Sequence, residues 1–182
     1  IVRRMESMEQ KTFALKGNII YTKERTRFEV MEQGWLVCEE GRVRDVYSVL
    51  PEELKGIPVE DMGDRLIIPG LTDLHIHAPQ YTFRSLGMDM ELLEWLETNT
   101  FPEESKYKDA EYAKKAYGMF AEQLKKSATV RACIFGTIHN EATLILMDLL
   151  EEAGLHTMVG KVNMDRNSPD YLCEPSAEAS AP

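Results

Sequence analysis

The chain has 182 residues, 43% of them hydrophobic, and a formal net charge of -10. That length buries one ordinary core, or one small domain plus part of a larger one. An acidic surface with no run of Lys and Arg interleaved with aromatics excludes a phosphate-backbone binder and favours a neutral small molecule, so no nucleic acid is expected as partner. Cys38, Cys133 and Cys173 are odd in number, far apart and free of any C-x-x-C pair, which excludes a disulfide framework and a thiolate zinc site and fits a reducing cytoplasm. No stretch reaches the ~20 apolar residues of a membrane span, and Ile1 to Glu6 lack the apolar run of a secretory signal, so no membrane is expected either.

From Phe13 to Val49 the apolar residues come in short runs broken by glycine and charge: Phe13 to Leu15, Asn18 to Tyr21, Trp35 to Cys38 and Val43 to Tyr47. These predict strands, with Glu39-Glu40-Gly41-Arg42 as a hairpin turn whose glycine supplies positive φ. The expected product is a small antiparallel sheet, part of a β-sandwich domain over residues 1–66. Pro51 to Lys55 reads as one helical turn, Arg65 to Ile68 as a strand, and Pro69-Gly70 as its break.

Beyond that break the pattern changes. Helices are predicted from Met88 to Leu96, from Asp109 to Lys126 with Ala113, Ala116, Tyr117, Phe120 and Leu124 on one stripe, and from Glu141 to Ala153 with Gly154 as C-cap. Val130 to Gly136 and Thr157 to Val162 read as buried strands. Such alternation calls for right-handed βαβ crossovers and a parallel sheet. Three parallel strands do not close an eight-stranded barrel, so residues 67–182 form either an open sheet or the start of a barrel. The chain begins without Met, and Ser176 to Pro182 is small, polar and aperiodic, the look of a cut or frayed end. Met119, Met147 and the other methionines read as core filling, and Glu103-Glu104 and Glu151-Glu152 as solvated charge.

Chemistry concentrates at His75-Ile76-His77, at the end of the strand that Leu71 begins. Side chains two apart on a strand share a face, so the two imidazoles stand together while Ile76 points into apolar packing. Two neutral imidazoles so placed can converge on one Zn²⁺ at roughly 2.0–2.1 Å each. The weaker alternative is two core-end histidines satisfied by backbone carbonyls. Asp73 supports a histidine or caps a turn. Tyr81 and Phe83 are pocket walls or core packing, His139 a strand-end histidine hydrogen-bonded in a pocket wall, and His156 a surface residue.

The run Pro69-Gly70-Leu71-Thr72-Asp73-Leu74-His75-Ile76-His77 resembles the P-G-[LF]-x-D-x-H-x-H motif of the amidohydrolase superfamily. Its continuation His77-Ala78-Pro79-Gln80-Tyr81, with Thr100-Phe101-Pro102-Glu103, Cys133 to His139 and Val159 to Asp165, is similar to the guanine deaminases within it. The resemblance implies an α/β fold, the first three or so strands of an incomplete (β/α)₈ TIM-like barrel. It implies Zn²⁺ as cofactor, His75 and His77 as its ligands, and Gln80, with His77, at the substrate guanine. It implies hydrolysis of guanine to xanthine and ammonia in the cytoplasm, and a homodimer. The family draws its third zinc histidine, zinc aspartate, proton-shuttling glutamate and substrate arginine from later strands, so the chain alone is expected to hold no complete catalytic set. Two alternatives stay open: another amidohydrolase acting on a ring amine, such as a different purine or a triazine-like compound, and a non-catalytic zinc-binding or structural fragment.

Overall fold

The computed structural model describes residues 12–180, which divide into two compact units, one ending at Pro69 and the other beginning at Gly70. The first is built on a four-stranded sheet in the order β3-β2-β1-β4. Strands β1 (Thr12–Glu24) and β2 (Arg27–Glu39) are 13 residues each, longer than the sequence predicts. Gly17 and Gly34, which interrupt the apolar pattern, face each other across the ladder, and the register shifts just beyond them, between Gly17 and Ile19. Glycine there marks an irregularity that the pairing strand bridges rather than a strand end.

The predicted hairpin joins β2 to β3 (Arg42–Tyr47). Glu40 and Gly41 have φ of 49° and 77°, the pair of positive values that a two-residue hairpin turn demands. Strands β1, β2 and β3 pair antiparallel as expected, and β4 (Val59–Ile67), beyond that span, adds to the sheet parallel to β1. The chain between β3 and β4 crosses over through a 3₁₀ turn, Glu52–Leu54, and Leu54 joins Ala14 and Val37 in the small core of this unit. Among the described residues the unit has one mixed sheet.

The second unit is a parallel sheet, β5 (Leu71–His77), β6 (Thr129–Phe135) and β7 (His156–Gly160), whose spatial order follows the chain. Two short helices, α1 (Leu92–Trp95) and α2 (Phe101–Ser105), precede α3 (Ala110–Lys126) in the first crossover, and α4 (Asn140–Glu152) lies in the second. Helices α3 and α4 contribute to one core: Ala113, Ala116, Tyr117, Phe120 and Leu124 of α3 with Leu146 and Leu150 of α4, over Ala132 and Ile134 of β6. One shared core means both helices cover the same sheet face, a singly wound arrangement; a doubly wound sheet sends them to opposite faces. The α3 stripe is the one its sequence spacing predicts. The C-cap of α4 is also as predicted: Gly154 has φ 72°, its N–H donates to Glu151 and that of Leu155 to Leu150, the Schellman pattern.

Between β5 and α3 the helical reading is only partly met. Met88 to Met90 are not helical; α1 (Leu92–Trp95) runs without a break into a π-helical stretch, Leu96–Thr100, and then α2 (Phe101–Ser105). Met88, Leu92 and Leu93 are exposed, so their helical spacing has no core to answer to. Pro102 lacks the N–H that an α-helical ladder needs and crowds the preceding turn, which suits a widened turn just before it.

Three further expectations are corrected. Met119 and Met147 are exposed rather than core filling. Glu103 and Glu104 are buried, while Glu151 and Glu152 are exposed as predicted. The tail is not frayed up to Ser180: α5 (Ala177–Ser180) ends in a buried serine whose hydroxyl donates to Glu174, which also accepts from the Met164 amide and from Lys161. No helix among the described residues is long and apolar enough to cross a membrane.

Candidate metal centre

Strand β5 sets the site by alternation. Ile76 stands opposite Ile134 and packs into the helix-side core, so His75 and His77 project from the other face. Their Nε2 atoms are 3.1 Å apart and the ring centroids 5.1 Å apart. Phe135, opposite His77 on β6, lies against both rings, at 4.7 Å from His75 and 4.8 Å from His77, nearly parallel to the latter at 14°. The two imidazoles therefore converge on one point with an apolar ring behind them.

That separation suits a shared ion. Two Zn–N bonds of roughly 2.0–2.1 Å meeting at about 100° span the observed gap, inside the range of a distorted tetrahedron. Burial, and then the neighbouring His75, hold the His77 pKa below the ordinary histidine value, which keeps its ring nitrogen free of a competing proton. Among the described residues no third His, Cys, Asp or Glu joins the pair to make a ligand group. The donor set fits zinc by type and spacing and fills half of its coordination.

Asp73 does not reach a histidine ring. The register slips between Asp73 and Ile76, leaving Asp73 opposite Ala132, and its Oδ1 accepts a hydrogen bond from the His75 backbone N–H at 3.0 Å. It steadies the backbone where the strand departs from regular pairing. Directly after His77 the chain makes a 3₁₀ turn, Ala78–Phe83, which carries Gln80 half-buried. Tyr81 packs edge-on against Phe120 and also lines a cavity of about 430 Å³, while Phe83 is buried and tilts against Trp95.

His139, at the N-cap of α4, has its backbone N–H on Thr137 Oγ1, but its ring Nε2 is buried without a hydrogen-bond partner, unlike the hydrogen-bonded ring expected. Burial, with Lys108 and Lys161, lowers its pKa. It lines a cavity of about 220 Å³ with Tyr107, Lys108 and Glu141. His156 is exposed at the start of β7, as predicted.

Sequence reasoning missed the acidic residues of α2. Glu103, 7% exposed, accepts from Thr82 Oγ1 and Lys106 Nζ, each at 2.6 Å, and from the Tyr112 hydroxyl. Burial works to raise its pKa and these bonds outweigh it, holding the carboxyl below its usual range, while burial and Glu103 push Tyr112 up to about 12. Burial raises Glu104 to about 7. Glu103 stands in the Thr100-Phe101-Pro102-Glu103 run that resembles guanine deaminases, but only the fold brings Tyr107, Tyr112 and Tyr117 to the two glutamates.

Comparison with known proteins identifies the family. The pattern of the amidohydrolase family matches residues 66–181. A guanine deaminase of Dictyostelium discoideum is 34% identical over 181 residues, covering 90% of this chain and 40% of its own. A crystal structure of guanine deaminase from C. acetobutylicum with guanine bound in its active site superposes with a TM-score of 0.84 at 45% identity, over 90% of this chain and 39% of that one. An atrazine chlorohydrolase variant from Arthrobacter aurescens, complexed with zinc and atraton, shares the fold at a TM-score of 0.69 and 12% identity, over 92% and 40%. The chain thus spans about two fifths of the length of these relatives. With the family pattern over more than half its residues and a convergent histidine pair at the end of its first parallel strand, the chain belongs to the amidohydrolase family.

Proposed function

We propose that the chain contributes the first part of a zinc-dependent guanine deaminase site, in which water replaces the ring amine of guanine to give xanthine and ammonia. The observation that carries this reading is the 3.1 Å convergence of His75 and His77 Nε2, supported by the similarity to guanine deaminases. His75 and His77, braced by Phe135 and by the Asp73 bond to the β5 backbone, would supply two imidazole ligands to the metal. Zinc, when bound, lowers the pKa of water toward ~7 and so makes hydroxide available at neutral pH. Gln80, three residues beyond His77, offers one acceptor and two donors and reads the polar edge of the purine without adding charge.

On this reading residues 1–66 belong to a small β domain and residues 67–182 open a barrel with its first three strands. The remaining ligands and the proton-shuttling carboxylate come from outside these 182 residues, so the isolated chain is inactive. The whole enzyme is a cytoplasmic homodimer with no nucleic-acid or membrane partner.

The test joins this chain to the carboxy-terminal part of the C. acetobutylicum guanine deaminase that it does not cover. The hybrid, purified with zinc, releases ammonia from guanine; the 182-residue chain alone does not. H75A and H77A each lower the hybrid's rate at least about a hundredfold, as loss of a metal ligand implies. A hybrid that ignores guanine but deaminates a different purine or a triazine overturns the substrate, and one indifferent to both substitutions overturns the site.

A further inference from the structure

Gln80 sits in a short 3₁₀ turn, and little within the turn itself holds it. Beyond two backbone bonds, Arg84 N–H to Tyr81 and Leu86 N–H to Phe83, the Arg84 guanidinium on the Tyr81 carbonyl at 3.2 Å, and the packing of Tyr81 on Phe120, hydrogen bonds from outside tie the turn on either side of Gln80. One residue before it, the Pro79 carbonyl accepts from the Tyr107 hydroxyl at 3.2 Å. Two residues after it, Thr82 Oγ1 donates to Glu103 at 2.6 Å. Tyr107 and Glu103 both come from the helical run between β5 and α3.

Glu103 is more elaborately held than a packing residue requires. It is buried, ionised, and fixed by Lys106 on one oxygen and by Tyr112 and Thr82 on the other. Taking a carboxylate out of water carries a large desolvation penalty, and apolar residues of similar volume fill such a space without it. What the charge adds is a short, directional bond to Thr82, stronger than a neutral one and tied through Tyr112 and Lys106 to α3 and to the turn that precedes it.

We propose that Glu103 is a positioning residue: acting through Thr82, it fixes the turn that presents Gln80 and thereby sets affinity for the purine edge. This rests on the reading that Gln80 contacts guanine. Mobility in the turn then costs binding, because a loosened donor and acceptor pair must be ordered again each time the base arrives.

Thr82→Val removes the hydroxyl with little change of shape, and Thr82→Ser keeps it. In the 182-residue chain, hydrogen exchange followed by mass spectrometry is expected to speed up on the order of tenfold for amides of residues 80–86 in T82V, with α3 unchanged and T82S close to the parent, as loss of one bond to a charged group implies. In the hybrid enzyme T82V is expected to raise KM for guanine on the order of tenfold while kcat changes less than about twofold, and T82S to restore it. Unchanged exchange in T82V overturns the clamp. Faster exchange with an unchanged KM in an active hybrid overturns its role in substrate positioning. A parent hybrid inert toward guanine overturns the proposed function instead, and the clamp is then judged on exchange.

Discussion

Glu104 is 6% exposed, and among the described residues no ion pair or hydrogen bond to its carboxyl compensates its burial, in contrast to its neighbour Glu103. Adjacent residues on a helix face different surroundings, so one carboxyl meets three donors while the other lies buried near the Tyr117 hydroxyl. The folded chain therefore keeps a proton on Glu104 up to about pH 7, whereas the unfolded chain releases it near the ordinary value of 4.5. Between these values the folded state binds more protons than the unfolded one, so stability falls as pH rises through that window and is flat outside it. The full effect is about 3 kcal/mol above pH 7, from 1.36 kcal/mol for each unit of displacement. Glu104→Gln, which cannot ionise, is expected to unfold at a higher urea concentration than the parent at pH 8 and at nearly the same concentration at pH 4. Equal midpoints at pH 8 would show that the carboxyl reaches water. None of this was legible beforehand, because Pro102-Glu103-Glu104 has the acidic composition of any exposed helix start.

At the level of elements, legibility tracked how local the deciding forces are. Helix α3 was readable in full: Asp109 caps it, Oδ1 accepting from the Glu111 N–H at 2.9 Å and the Tyr112 N–H at 3.4 Å, and its apolar stripe meets the sheet. Asp109→Ala removes both bonds and a favourable charge at the helix start, and is expected to destabilise by about 1 kcal/mol, with Asp109→Asn nearly neutral. The midpoint of urea-induced loss of helical circular dichroism checks this; an unchanged midpoint in D109A would mean that the cap carries no load. The hairpin at Glu40-Gly41 and the stop at Gly154 were equally plain, since each depends on a backbone conformation that glycine favours. Two elements were not. The parallel pairing of β4 depends on which edge of the sheet the chain reaches after Leu54, a non-local choice, and the π-helical turn before Pro102 answers to packing that the apolar spacing of Met88 to Leu96 misrepresents. The histidine pair was legible because alternation along one strand fixes it; Phe135 behind it and Glu103 beneath the Gln80 turn come from other elements and left no trace in the spacing.

Each unit taken by itself leaves apolar surface in water. In the first, Phe28, Val30 and Leu66 are exposed on the strands. In the second, α3 and α4 share one core on one face of the parallel sheet, while Met158 of β7, 67% exposed, marks the other; Leu74 of β5 is also exposed, as is Leu93, at 72%, on α1. Both outer strands of that sheet, β5 and β7, have one hydrogen-bonding edge unpaired among the described residues. Open edges and uncovered apolar faces together favour association with any similar surface, including a second copy of the chain, through added strand pairing and burial. The core on the helix side is nonetheless continuous and well filled, so the association expected is of folded molecules at rising concentration rather than collapse of an unfolded one. Light scattering of the purified 182-residue chain should therefore show apparent mass growing between low and high micromolar concentration, and heating should give a broad transition rather than one sharp step. Substituting Leu74 and Met158 with Lys should suppress the growth without loss of helical signal, because charge on an open edge or face discourages strand addition. A monodisperse monomer at all concentrations with a single sharp melt would mean that these surfaces are covered by the chain's own residues, and the reading of the sheet as an open segment of a larger barrel would fall with it.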